Sequence, residues 1–449
     1  MMRVLLALLL PLSLAQDLPP EEPPATEAAP TYDIADAQIL GELTAPGPRL
    51  IALDADTRLV LVEDHRAPLV ELRLSLPVGR YSPWFRDNHG EEAWAIQLYD
   101  PDGALRARAD ALALDVSLDV GDRSSRLAIS CLEQDLDDAV ALARDILAND
   151  AFDAKELKRM DQGRRISWQA QEKDPLFRMR QAAALSLFAK GDPRRVEYEA
   201  PPKVSKDLEV LAATRDTIAG LPGRVVGFGG DIDEARAREL AAALLPELGA
   251  EPEDLAPVFL DLPERPHEIK EPMDNLTQVY FAYFRDGPAL DDPDLAAWMV
   301  ADHVLGGHFF SRLYVALRHE GGETYGAGTY GEAAPVPEGY GLWTFTRVEN
   351  RDNTELKLRD AHVGFYANGI TQQELDDAIG ALQGSRLLEL QSPAQRLDGA
   401  LDELAQGLDL GFEERLLEQV GALDVKSVNR FIAEWYGEGW FTMLEVEPK

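Results

Sequence analysis

Apolar residues along this chain recur with two alternating periods, one of two residues and one of 3.6. Val70, Leu72, Leu74 and Leu76 alternate with Glu71, Arg73 and Ser75, as in a strand with one buried face. Residues 59–63 lie just upstream, and together the two runs predict a hairpin. Residues 112–120 alternate likewise and, after a Gly121-Asp122 turn, Leu127, Ile129 and Cys131 continue the period. Leu136, Val140, Ala143 and Leu147 then repeat at helical spacing. Strand, strand and helix with antiparallel neighbours predict an α+β layer. Helices over 154–171 and 176–188 follow, then a strand over 224–228, a Gly229-Gly230-Asp231 turn and a helix over 234–245.

The pattern then repeats in outline. A strand over 277–284 leads to a helix capped by Asp292, with Pro293 at its first position, that ends at Leu305. A strand is predicted over 341–347 and a helix over 356–367, stopped by Asn368-Gly369. Thr371 and Glu374 form a capping box that opens a helix towards Leu388, a further helix covers 423–436, and a strand closes the chain over 440–446. FDAKELKR (152–159) and GITQQELDDA (369–378) occupy parallel places. Residues 249–272 carry five prolines and read as a linker. The expectation is an α+β fold of two halves, 48–248 and 273–449, each a mainly antiparallel sheet covered by helices.

At 449 residues the chain exceeds a single core, and 45% hydrophobic content excludes a disordered body. The formal charge of −36 argues against nucleic acid and anionic membranes as partners. Residues 1–15 combine a short basic start, an apolar run and a small-residue exit, predicting a signal peptide cut after Ala15 and an exported, periplasmic or secreted protein. Residues 16–47, rich in Pro, Glu and Ala, read as a flexible spacer. The one cysteine, Cys131, is expected to be a buried structural thiol, so core packing alone must hold the fold. GFGGD (227–231) lacks the Lys-Ser/Thr of one phosphate loop and the full glycine pattern of the other.

The stretch 304–330, VLGGHFFSRLYVALRHEGGETYGAGTY, reads as a helix end, a glycine break, a second helix over 309–318, a Gly-Gly turn and a strand entered at Tyr325. Arg318 and Tyr325 then come to one sheet edge, where a guanidinium fork and a phenol could hold a peptide carbonyl. LGGHFFSRLYVALRHEGGETY resembles the signature LGGxxxSRLxxxLRExxGxxY of the second half of the pitrilysin/insulinase (M16) zinc peptidases. The resemblance extends from about residue 48 to the C-terminus. It implies two homologous halves forming one wall of a clam-shaped chamber. It also implies substrate-backbone contacts for Arg318 and Tyr325, with Gly306, Gly307, Gly321 and Gly322 letting backbone and substrate approach closely. His319 stands where Glu is usual, and Gly321 where Arg is frequent.

Family peptidases carry H-x-x-E-H on a first-half helix, with two zinc-binding His, a Glu that activates water, and a distal Glu as third ligand. Here the pattern falls on 90–97, with Ala93 and Gln97 at the His positions and Ile96 at the Glu position. A rival register uses His89 and Glu92, and Ala93 then replaces the second His. The distal Glu falls near 164–167, a stretch without a carboxylate. The seven His offer no substitute set, and His303 and His308, five apart across a helix end, should not share a face. No G-x-S-x-G is present. The expectation is therefore a chain with no metal or cofactor of its own, and so no enzyme by itself. It resembles the non-catalytic subunit of two-chain M16 peptidases, with Zn in an H-x-x-E-H-bearing partner and a peptide as substrate. The alternative is a non-enzymatic peptide-binding or scaffold protein of the same fold.

Overall fold

The structure, a computed structural model, describes residues 46–151, 153–263, 267–319, 322–437 and 441–449. The predicted signal peptide, the spacer as far as residue 45, Gly321 and the expected strand start at Trp440 lie outside them.

The alternating stretches build two sheets. The first contains β1 (Arg49–Ala52), β2 (Thr57–Glu63), β3 (Leu69–Leu76), β4 (Asp115–Val120), β5 (Ser125–Leu132) and β6 (Arg224–Gly230), in the order β1-β2-β6-β3-β5-β4. The second contains β7 (Glu268–Met273), β8 (Gln278–Asp286), β9 (Ala327–Tyr330), β10 (Gly339–Arg347) and β11 (Thr442–Pro448), in the order β7-β11-β8-β10-β9. All pairings are antiparallel except β2 with β6 and β7 with β11. The predicted hairpin of β2 and β3 does not form. β6, buried at every position, enters between them, parallel to β2 and antiparallel to β3. β11 enters the second sheet between β7 and β8 in the same way, so the last strand of each half closes its sheet from inside. The tail of the presumed linker is in fact β7.

Helices Leu136–Leu147 and Glu234–Leu244 pack with Leu59, Leu61, Leu72, Leu74, Leu127 and Ile129 in the first core. Helices Leu295–Leu305, Arg351–Asn368 and Val425–Trp435 do so around Val279, Phe281, Tyr340 and Leu342 in the second. The predicted cap shifts by two residues: Asp294, not Asp292, is the N-cap, so Pro293 precedes the helix instead of opening it, and the Asp294 N–H donates to Asp292 Oδ1 at 2.9 Å. The Thr371/Glu374 capping box forms as expected. Cys131 is buried, and burial pushes its thiol up to about 12, out of reach of redox or metal chemistry.

The opposite faces of the sheets are covered by exchange between the halves. Helix Pro175–Leu187, from the first half, lays Met179, Ala183, Ala184 and Leu187 on Ala282, Phe284, Leu444 and Val446 of the second sheet. Helix Pro393–Ala405, from the second, lays Leu397, Ala400 and Leu401 on Val60, Val62 and Val225 of the first. β6 is shaped to receive it: a Cβ at Gly227 would lie 2.8 Å from Leu397 Cδ1. The buried Arg396 guanidinium pairs with the buried carboxylate of Asp64, which also takes Arg66 Nη2 at 2.6 Å. Arg66 first, then Arg396, holds that carboxyl well below the usual range against the push of burial.

Candidate functional site

Gly90–Ala95 forms a short helix that turns tighter over Ile96–Leu98, and His89 enters it in the left-handed conformation with φ 56°. Only glycine fits at 90, because a Cβ there would lie 2.2 Å from the Phe85 ring. The helix therefore lies flush on the core. Ala93 and Ile96 pack into that core, and Gln97 is fully buried, its side-chain amide donating to Trp94 O at 3.3 Å. None of the three lines the adjoining cavity of about 680 Å³, which is walled by Gly90, Glu91 and Glu92 on this helix and by Arg164, Ser167 and Trp168 on helix Ala154–Gln171. Arg164 Nη1 donates to the buried carboxylate of Glu92, and Nη2 reaches Glu91 Oε2 at 3.4 Å. A cation from the protein thus satisfies the buried acid at this place.

These residues do not fit a zinc ion. Ala93 and Ile96 have no ligand atom, Gln97 is committed to the core, and the Glu92 carboxylate is already engaged by a guanidinium. Among the described residues, no cluster of three His, Cys, Asp or Glu side chains is placed to hold a metal. Sequence reading missed the Arg164–Glu92 pair. Its one signal was an acid on a core-facing helix whose expected distal ligand had become a cation.

The second region has a different construction. Helix Leu295–Leu305 ends at Gly306, which approaches β9 so closely that a Cβ would lie 2.5 Å from Thr329 N. A Cβ at Gly307 would lie 2.9 Å from His303 Cα. Both glycines line a separate cavity of about 690 Å³, which Arg318 and Tyr325 do not line. The predicted helix over 309–318 is shorter. Residues Arg312–Tyr314 make one turn that widens into a π-turn over Val315–His319, and β9 begins at Ala327 rather than Tyr325. Arg312 is structural: its guanidinium takes Glu374 Oε1 and Oε2 at 2.7 and 2.8 Å and Gly369 O at 2.8 Å, fixing the turn to the capping box.

At the end of the π-turn Arg318 is exposed. Its Nη1 donates to Tyr314 OH and reaches Tyr325 O at 3.3 Å, and its guanidinium lies 5.0 Å from the Tyr314 ring centroid. Nε and Nη2 have no hydrogen bond among the described residues. Tyr325 is 78% exposed, so the pair meets through the tyrosine's backbone carbonyl while its phenol points to solvent. Gly322, at φ +63°, makes the return turn, its N–H donating to Arg318 O at 3.1 Å. His303 and His308, expected on different faces, stack with ring centroids 4.4 Å apart, because the Gly306-Gly307 break folds the chain back on its helix. Burial holds the His303 imidazole down to about 4.

Residues 222–382 match the family model described as Peptidase M16 inactive domain. The chain is 25% identical over 329 residues to a protein of Helicobacter pylori named Non-peptidase homolog YmxG, covering 71% of this chain and 74% of that one. Among solved structures, a peptidase M16 inactive domain from Pseudomonas fluorescens superposes with TM-score 0.74 at 20% identity, over 90% of this chain and 98% of that chain. A protease from Helicobacter pylori gives TM-score 0.74 at 15% identity, over 90% and 100%. At these identities the two structures speak to the fold alone.

Proposed function

We propose that this chain, a member of the M16 (pitrilysin/insulinase) family of the inactive, non-peptidase kind, is the exported non-catalytic subunit of a two-chain peptidase. It pairs with an M16 subunit that bears H-x-x-E-H and zinc, and it presents Arg318 and Tyr325 to the peptide. One contrast carries the reading: the metal motif is closed by the Arg164–Glu92 ion pair, while the Arg318 and Tyr325 side chains remain open to solvent. The partner's metal would activate the attacking water. This chain's part is positional. Arg318 Nε and Nη2 hold a substrate carbonyl or carboxylate with charge-assisted hydrogen bonds, and the Tyr325 hydroxyl donates to the oxygen that gains charge as the carbonyl becomes tetrahedral.

The first experiment is a native pull-down of the tagged mature chain from a periplasmic extract, with mass spectrometry of what accompanies it. A stoichiometric partner of similar size carrying H-x-x-E-H and zinc is the expected result. Arg318→Ala or Tyr325→Phe should then lower turnover of the complex on the order of 10²-fold without disturbing assembly. Normal turnover in both variants overturns the reading. A chain recovered alone, or with unrelated envelope proteins, supports the alternative of a peptide-holding or scaffold protein, in keeping with the name of its Helicobacter pylori relative.

A further inference from the structure

Among the described residues, the large aromatic side chains that stand in solvent are Phe309, Phe310 and Tyr325, at 69%, 75% and 78% exposure, and all lie in the stretch that ends at β9. Exposed apolar side chains scattered singly need no explanation, but a cluster does. Phe309 and Phe310 are joined through neighbouring rings. Phe309 meets Tyr314 edge-on at 5.2 Å, Phe310 stacks on His319 at 6.4 Å, and His319 meets Tyr314 at 6.0 Å. Tyr314 in turn carries the Arg318 guanidinium on its ring.

The turn that displays the rings is ordered by its own bonds. The Phe310 N–H donates to His308 Nδ1 at 3.1 Å, the Ser311 N–H donates to His308 O at 3.0 Å, and the His308 ring is stacked on His303. The neighbouring acid Glu323 is engaged by Lys357 Nζ at 2.8 Å and Asn353 Nδ2 at 2.5 Å, and among the described residues Arg318 is the charge of the patch without an acidic partner. On a chain of net charge −36 this is a preorganised apolar surface around one cation.

We propose that this surface is a specificity subsite for a large apolar side chain, above all an aromatic one, lying within a residue or two of the carbonyl held by Arg318. Phe309 and Phe310 are its determinants. The inference rests on the reading of Arg318 and Tyr325 as a peptide-holding pair. A peptide segment suits the surface better than a whole subunit does. Three rings of roughly 150–250 Å² each amount to less than the roughly 800 Å² per partner of a stable protein interface. A second copy of the chain would also bring its own −36 charge against this one.

The test is fluorescence anisotropy of the full chain with two labelled ten-residue peptides of equal net charge, one carrying three Phe and the other Ser in their places. The wild type should bind the Phe peptide at least about tenfold more tightly. The double variant Phe309→Ser, Phe310→Ser should reduce that preference to about twofold with an unchanged melting temperature, since neither ring is buried. Arg318→Ala should weaken both peptides alike. Equal binding of the two peptides by the wild type, or a preference that survives the double substitution, overturns the subsite and leaves the Arg318/Tyr325 reading standing. If neither peptide binds, both fall. If the double variant instead shifts a dimer to monomer in sedimentation, the surface joins copies of the chain and the subsite is wrong.

Discussion

Glu92, in the first turn of a short helix, and Arg318, at the close of a π-turn, are both charged, and the fold treats them in opposite ways. Glu92 is 3% exposed and receives a guanidinium from a helix 72 residues further along the chain. Arg318 is held by its own segment, through Tyr314 and the Tyr325 carbonyl, and keeps the rest of its donors in water. A buried charge without a partner is costly, so a motif that no longer carries metal ligands must satisfy its remaining acid internally. An exposed guanidinium has no such need. Internal pairing at one place and exposure at the other are the physical difference between them.

The comparison can be broken most strongly at the first site. Arg164→Met leaves Glu92 buried and unpaired, and urea unfolding should show a loss of about 3 kcal/mol. Adding Glu92→Leu should recover most of it, because two apolar groups need no partner. A single variant as stable as the wild type would mean that the pair does not carry this region. Next comes the glycine hinge of the second site. Gly306→Ala places a Cβ against β9 and should cost about 2 kcal/mol, whereas Gly380→Ala, with open space around it in the middle of a helix, should be neutral or slightly stabilising.

Acid should then reveal the groups that support the Arg318 turn. Burial pushes the Glu374 carboxyl up, but Arg312 and the Thr371 cap outweigh it and hold it to about 2, below its ordinary 4.5. Its contribution is present above pH 4.5 and lost as the pH falls from there towards 2; Glu374→Gln should remove that slope, worth about 1–2 kcal/mol after screening. His362 behaves as a base buried in its neutral form, held to about 4 against an ordinary 6.5. The unfolded chain takes the proton first, so stability declines as the pH falls from 6.5 to 4, and His362→Phe should flatten that window. The smallest effect expected is at the open site itself. Arg318→Ala and Tyr325→Phe should change stability by less than about 0.5 kcal/mol, and a larger loss by calorimetry would show them to be structural.

Much of the local structure was legible. The period-two runs became β3 and β5, the Thr371/Glu374 box formed, and the apolar spacing over 136–147 became a helix. The glycine-rich signature marked the segment that displays Arg318 and Tyr325. Helix Pro393–Ala405 was missed although Leu397, Ala400, Leu401 and Leu404 recur at helical spacing and Ser392 and Gln395 form a capping box.

What the sequence by itself determined is the set of features that arise between neighbours in the chain: period, caps, turns, the loss of the histidines from the motif, and the presence of an Arg and a Tyr at their signature spacing. Only the tertiary structure decided that β6 and β11 enter between earlier strands, that each half lends a helix to the other's sheet, that Arg164 closes on Glu92, and that His308 folds back on His303. The reason is physical. Periodicity and capping act over one or two turns of backbone, whereas a pair such as Arg396 and Asp64, 332 residues apart, is selected by the shape and charge of surfaces that exist only once both sheets have formed.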